Sequence, residues 1–208
     1  MLFESWQTIR PVLGAVRATY HWIKSKYAPP CPHFIKQATI LRHSWPDSVF
    51  IETGTYKGAT SRYFRRRGYT VATIEVYKPL FDAYSPYLRK LGVNTRLGDS
   101  AEVMPQVLCD YGERPAYTIF LDGHYSSGIT GQGELAVPIV KEFQALRDFA
   151  LAYPGKNVAV VVDDVRLFMP GGDPSYPAKS TLLEFATSIS ADWKIENDMF
   201  VCLRPCIR

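Results

Sequence analysis

The stretch Phe50-Ile51-Glu52-Thr53-Gly54-Thr55-Tyr56-Lys57-Gly58-Ala59-Thr60 passes from a β-rich run into a helical one through a turn holding two glycines. Gly54 permits a tight turn and the close approach of a ligand, and Gly58 lets the next helix begin against it. Alone, an E-x-G-x-x-x-G pattern is a common turn. Its meaning depends on what stands at the same level of the neighbouring strands.

Outward from this turn the chain alternates strand and helix. β-Rich runs fall at Val49–Glu52, Thr70–Glu75, Asn94–Leu97, Tyr117–Leu121 and Val158–Val162, with helical patterns at about 58–67, 79–91, 100–109 and 134–152. Such alternation predicts an α/β fold, a mostly parallel sheet with helices on both faces. After a helix near 178–189, the runs Trp193–Glu196 and Phe200–Leu203 are separated by Asn197-Asp198-Met199 and read as an antiparallel hairpin. That gives seven strands.

In an open α/β sheet, ligands bind beyond the carboxyl ends of the strands, at the topological switch point. Glu75 ends the second strand 21 residues after Gly54, where a carboxylate suits the two hydroxyls of an adenosine ribose. The third strand leads into Gly98-Asp99-Ser100, where Asp99 can meet an adenine amino group or cap the following helix. The fourth ends in Phe120-Leu121-Asp122-Gly123-His124. Acids at four successive strand ends, counting Glu52, exceed what capping explains.

Across about residues 48–205 these motifs resemble the class I S-adenosylmethionine-dependent methyltransferases, including the terminal hairpin that separates their Rossmann-like fold from nucleotide-dependent dehydrogenases. The resemblance implies S-adenosyl-L-methionine bound by Glu52, Gly54, Thr55, Gly58, Thr60, Glu75, Asp99, Ser100 and Asp122. The chain departs from the commonest motif at Tyr56, where a middle glycine often sits. It also lacks the G-x-G-x-x-G that would receive a pyrophosphate, which counts against an NAD-dependent oxidoreductase.

Two further segments, Asp122-Gly123-His124-Tyr125 and Val162-Asp163-Asp164-Val165-Arg166, resemble the metal-dependent O-methyltransferases of the catechol and macrolide-sugar type. Carried over by position, Asp122, Asp163 and Asp164 become candidate Mg2+ ligands, since converging carboxylates repel one another unless a hard cation is present. His124 is the candidate general base, with Asp122 beside it, because a histidine there could take a hydroxyl proton near neutral pH. Tyr125 and Arg166 are candidate substrate contacts, Arg166 equally a structural ion pair. The D-G-H-Y-S-x-G form with a later D-D-x-R-L-F resembles bacterial methyltransferases associated with surface polysaccharides, which implies a sugar or glycan acceptor. The loops 126–134 and 168–177 lie on the same edge and read as lids or specificity elements. A degenerate, non-catalytic version of the fold is the competing reading. A nucleic-acid methyltransferase is disfavoured: no N-P-P-Y-like tetrapeptide follows the fourth strand, and a net charge of +4 suggests no broad basic channel.

Residues 1–46 form a helical extension to the domain at 47–208. Phe3, Trp6, Ile9, Val12, Leu13, Val16, Tyr20 and Ile23 recur at near-helical spacing over residues 2–27, and a short helix follows at Phe34–His43. Such a piece suits a cap on the sheet or on a partner subunit, as in a homo-oligomer. Its Arg10, Arg17, Lys24 and Lys26 also permit peripheral contact with a membrane surface. Arg65-Arg66-Arg67 fall at the end of a helix, where they complement its dipole, with a phosphate-binding patch as the alternative. The four cysteines (Cys31, Cys109, Cys202, Cys206) form no C-x-x-C pair, and no apolar run is long enough to span a bilayer. Free thiols and the absence of a signal-peptide pattern point to the cytoplasm. The composition, 47% hydrophobic and 21% charged, is that of a globular protein.

Overall fold

A computed structural model of the chain describes residues 2–122 and 138–206. Its centre is a seven-stranded sheet of β1 (Val49–Thr53), β2 (Thr70–Glu75), β3 (Val93–Leu97), β4 (Ala116–Leu121), β5 (Asn157–Val162), β6 (Asp192–Glu196) and β7 (Met199–Arg204). The spatial order is β3-β2-β1-β4-β5-β7-β6. β1 to β5 pair parallel, and β7 is inserted antiparallel between β5 and β6. The chain order reverses between β1 and β4, so the sheet has its switch point there.

The central strands are buried on both faces, which explains why β5 reads Asn-Val-Ala-Val-Val-Val without polar alternation. Successive residues still divide between the two layers. Val49 and Ile51 join a core with Tyr117, Ile119 and Phe143, whereas Phe50 joins one with Phe64, Leu88 and Ile40 on the other face. Phe50 and Phe64 stack at 3.8 Å between centroids. β6 lies at the edge and is largely exposed, with Asp192, Lys194 and Glu196 discouraging edge pairing.

The helices fall as α1 (Leu2–Lys24), α2 (His33–Arg42), α3 (Ala59–Arg65), α4 (Lys78–Lys90), α5 (Ser100–Asp110), α6 (Ile139–Ala152) and α7 (Ser180–Ser188). Several boundaries differ from expectation, the first helix among them, which ends at Lys24 rather than at residue 27. α3 stops at Arg65 because Gly68 turns left-handed (φ 88°). The β6–β7 loop is two residues long, Asn197 (φ 52°) and Asp198 (φ 63°), since Met199 already pairs with Glu196. Left-handed φ at both central positions is the geometry that matches strand twist. Arg65 itself donates to the carbonyls of Leu91 and Tyr69, a structural use of the arginine cluster.

The two leading helices behave differently. α2 enters the core through the fully buried Ile40. Among the described residues no other helix or strand packs extensively along α1. Among the described residues no helix is long and apolar enough to cross a membrane.

Candidate functional site

The β1–α3 turn is built as its glycines require. Gly54 (φ 82°) donates its amide to the Ile74 carbonyl of β2 at 3.0 Å, anchoring the turn to the neighbouring strand. Gly58 (φ 68°) precedes the first residue of α3, and a Cβ there would lie 2.7 Å from the Leu88 methyls. Between them Tyr56 adopts φ 48°. The residue that departs from the commonest motif thus keeps the left-handed conformation a glycine would take easily, at a cost on the order of 1 kcal/mol.

Glu75 lies beneath this turn. Its Oε2 accepts the Tyr56 amide at 2.8 Å and its Oε1 accepts the Tyr77 amide at 2.9 Å. Burial pushes the Glu75 pKa up and these amides pull it back. The motif of the first strand and the acid of the second are therefore one hydrogen-bonded unit. Each carboxylate oxygen keeps a second lone pair for a ligand.

The other residues expected around a cofactor divide. Thr55 faces the sheet, its hydroxyl 2.6 Å from that of Thr73. Glu52 is buried and accepts from Ser61 at 2.5 Å and Thr73 at 3.3 Å, with its pKa raised by burial to about 7. Both support the turn from below. Asp99 caps α5 by accepting the Ala101 amide at 2.9 Å, so the capping alternative holds for one of its contacts. Gly98 brings it there by bonding its amide to the Glu75 carbonyl. Ser100 is buried beside Glu142, a wholly buried acid on α6. Burial raises the Glu142 pKa to about 7, and the Ser100 and Thr53 hydroxyls pull it down, though neither of its oxygens completes a hydrogen bond of good geometry.

On the other side of the switch point, the ends of β4 and β5 carry a cluster of charge. The Asp122 amide donates to Thr53 O and the Asp163 amide to Leu121 O, which sets both residues just past the strands. Lys36, from α2, donates to Asp163 Oδ2 at 2.6 Å and Asp164 Oδ1 at 3.1 Å. Arg166 binds Asp164 at 2.8 Å and also Asp198 in the β6–β7 turn. Burial and the neighbouring Asp163 and Asp164 raise the pKa of Asp122 well above the usual carboxylate range, with Lys36 opposing. Asp163 is raised by burial against the pull of Lys36. For Asp164, Lys36 and Arg166 outweigh burial and the pKa falls.

This cluster bears on two expectations. The positive charge among Asp122, Asp163 and Asp164 is the Lys36 ammonium, and among the described residues no three His, Cys, Asp or Glu side chains are grouped to hold a metal ion. Lys36 takes one oxygen of Asp163 and one of Asp164, so a Mg2+ ion held by these acids would have to displace it. Arg166 makes the structural ion pairs through one guanidinium nitrogen, to Asp164 and Asp198.

Asp122, Asp163, Asp164, Lys36, His33 and Thr60 line one cavity of about 210 Å³ with Phe120, Ile40 and Cys31. Thr60 Oγ1 lies 3.3 Å from His33 Nε2, and burial together with Lys36 lowers the His33 pKa. Lys36, His33 and Glu142 were not recognisable as site residues in the sequence. A lysine and a histidine three residues apart in a short helix, and one acid in an amphipathic helix, are ordinary patterns. His124, Tyr125 and the loop 126–134 lie outside the described residues. The loop 168–177 is pinned by Phe168, buried in the core and edge-on to Tyr176 at 5.1 Å.

No protein-family model matches the chain, and the curated proteins give no match. Solved structures match in fold. The CcbJ methyltransferase from Streptomyces caelestis gives a TM-score of 0.53 at 12% identity, covering 85% of this chain and 91% of that one. A TDP-rhamnose 3'-O-methyltransferase of calicheamicin biosynthesis gives 0.52 at 12% identity, covering 81% and 76%. A TehB-like S-adenosylmethionine-dependent methyltransferase from Corynebacterium glutamicum gives 0.51 at 10% identity, covering 94% and 99%. At such identities the likeness establishes the fold: a Rossmann-like α/β sheet with an antiparallel final strand, shared with methyltransferases.

Proposed function

We propose that the protein is a class I methyltransferase that moves a methyl group from S-adenosyl-L-methionine to a hydroxyl, that of a sugar or glycan. The observation carrying this reading is the division of the site at the switch point. The Gly54 turn, Glu75 and Asp99 stand on the β1–β3 side, and a polar cavity around Lys36 and Asp122 stands on the β4–β5 side. Methyl transfer needs such a pair of chambers, because donor and acceptor must meet in line.

S-Adenosylmethionine supplies an electrophilic methyl group; the remaining work falls to the chain. Glu75, fixed by two backbone amides, is placed to accept both ribose hydroxyls through its remaining lone pairs. The turn at Gly54 leaves backbone close to the ligand. On the acceptor side, two of the three Lys36 N–H donors go to Asp163 and Asp164; the third orients the acceptor oxygen and favours its loss of a proton. His124, two residues beyond Asp122, is the assigned base, and Tyr125 a contact to the sugar. A base so placed contributes roughly 10²–10⁴ in rate. Because Lys36 supplies the charge assigned at first to Mg2+, the reaction proceeds without added metal.

The test is transfer of labelled methyl from S-adenosylmethionine to a panel of sugar nucleotides and cell-surface glycans, with EDTA or with Mg2+. Label on a glycan hydroxyl in EDTA supports the proposal, and strict Mg2+ dependence overturns the role given to Lys36. Absence of both cofactor binding and transfer would favour a non-catalytic binding module. Loss of turnover in His124→Ala with cofactor affinity retained supports the base; unchanged turnover removes it.

A further inference from the structure

Over residues 13–24, α1 carries four large apolar residues on the side facing away from the molecule. Leu13, Val16, Tyr20 and Ile23 are each more than half exposed, and their spacing puts them on one stripe of a helix. On the opposite side Trp22 is half-buried and lines a groove with Val165 and Met169. An outward stripe of this size is costly in water and marks a contact surface.

The charges beside the stripe identify its partner. Arg17 and Lys24 stand seven residues apart and so run along one edge of it, and Lys26 follows just past the helix end. Lys24 Nζ lies 5.0 Å from the centroid of the exposed Tyr20 ring, which joins the basic edge to the apolar stripe. The only acid before Asp47 is Glu4. A second copy of the helix would bring like-charged edges together, with Glu4 the one acid in the helix's sequence to oppose them. An anionic lipid surface meets both features, since acyl chains take the stripe and phosphates take the basic edge.

We propose that α1 is an interfacial helix that seats the protein on an anionic membrane surface, with Leu13, Val16, Tyr20 and Ile23 in the headgroup–acyl boundary and the basic edge on the phosphates. This surface is separate from the methyl-transfer site, and the proposal stands without it. It also places the 210 Å³ cavity near the membrane, because α2, which follows α1, supplies His33 and Lys36 to that cavity.

The test is flotation of the full chain with phosphatidylcholine vesicles, alone or with roughly one-quarter phosphatidylglycerol, at about 150 mM salt. Binding to the anionic vesicles only, weakening as salt rises, is expected. Arg17→Gln, Lys24→Gln and Lys26→Gln together should lower partitioning about 10²-fold, near fivefold for each cation. Leu13→Ser with Ile23→Ser should lower it as well. Both variants should keep the wild-type melting temperature, because these residues stand clear of the core. The proposal is overturned by absence of binding to anionic vesicles, by binding indifferent to salt and to the charge variant, or by a concentration-dependent dimer that Leu13→Ser with Ile23→Ser abolishes.

Discussion

Glu75 and Asp163 are both buried acids at the end of parallel strands, yet the protein holds them by different means. Glu75 is fixed by backbone amides of its own strand end and of the adjoining turn. Asp163 is fixed by an ammonium from Lys36, 127 residues away in the chain. The first arrangement is rigid and leaves its charge available to a ligand. The second neutralises charge with a side chain that can also act on an acceptor. The β1–β3 half of the site is thus a preformed cradle, and the β4–β5 half a charge-balanced chamber.

Removing the ammonium tests this contrast most severely. Lys36→Met should cost about 3–5 kcal/mol of stability, as expected when one partner of a buried pair is lost, because Lys36 and Asp163 are only 14% and 3% exposed. Chemical denaturation measures it. Adding Asp163→Asn should recover most of the loss; a double variant no more stable than the single one would show that Lys36 acts mainly through packing. Next in size is Glu75→Ala, which removes two charge-assisted contacts to a ribose. Affinity for S-adenosylmethionine should fall roughly 100-fold by calorimetry, with melting temperature changed less than by Lys36→Met.

Much of this architecture is legible in the sequence because it is local. The turn Glu52–Gly58 follows directly on β1, and each strand-end acid follows its own apolar run, so the sequence pattern places β1 to β5 along the chain. Asp99 shows the limit of such reading, since one residue type suits both a cap and a ligand contact. Lys36 could not be found this way. Nothing in Ile35-Lys36-Gln37 states that α2 folds over the ends of β4 and β5, a tertiary fact set by Ile40 entering the core. The acids Asp122, Asp163 and Asp164 call for positive charge nearby, and nothing in their spacing tells a metal from a lysine.

Glu142 sharpens the comparison from the core. Its pKa rises from the ordinary 4.5 to about 7, through burial. A carboxyl with a raised folded-state pKa binds more protons folded than unfolded between those values, so stability falls as pH climbs from 4.5 to 7, by about 3 kcal/mol when integrated. Glu52 acts in the same direction. Urea titrations at pH 5 and 8 should show the protein more stable at pH 5, and Glu142→Gln should make the difference smaller by about 2–3 kcal/mol. A slope unchanged in the variant would mean that Glu142 does not carry it. The smallest effect is expected at Tyr56. Tyr56→Gly relieves a left-handed tyrosine and should raise stability by up to about 1 kcal/mol, or roughly 2–4 °C, visible by calorimetric melting.

The cradle formed by the Gly54 turn and Glu75 is the centre of this account, and titration calorimetry of the wild-type chain with S-adenosylmethionine in EDTA tests it directly. The account predicts a saturable one-to-one isotherm, weakened in Glu75→Ala, with no heat from NAD. Absence of S-adenosylmethionine binding with or without Mg2+, or an affinity unchanged by Glu75→Ala, would contradict it.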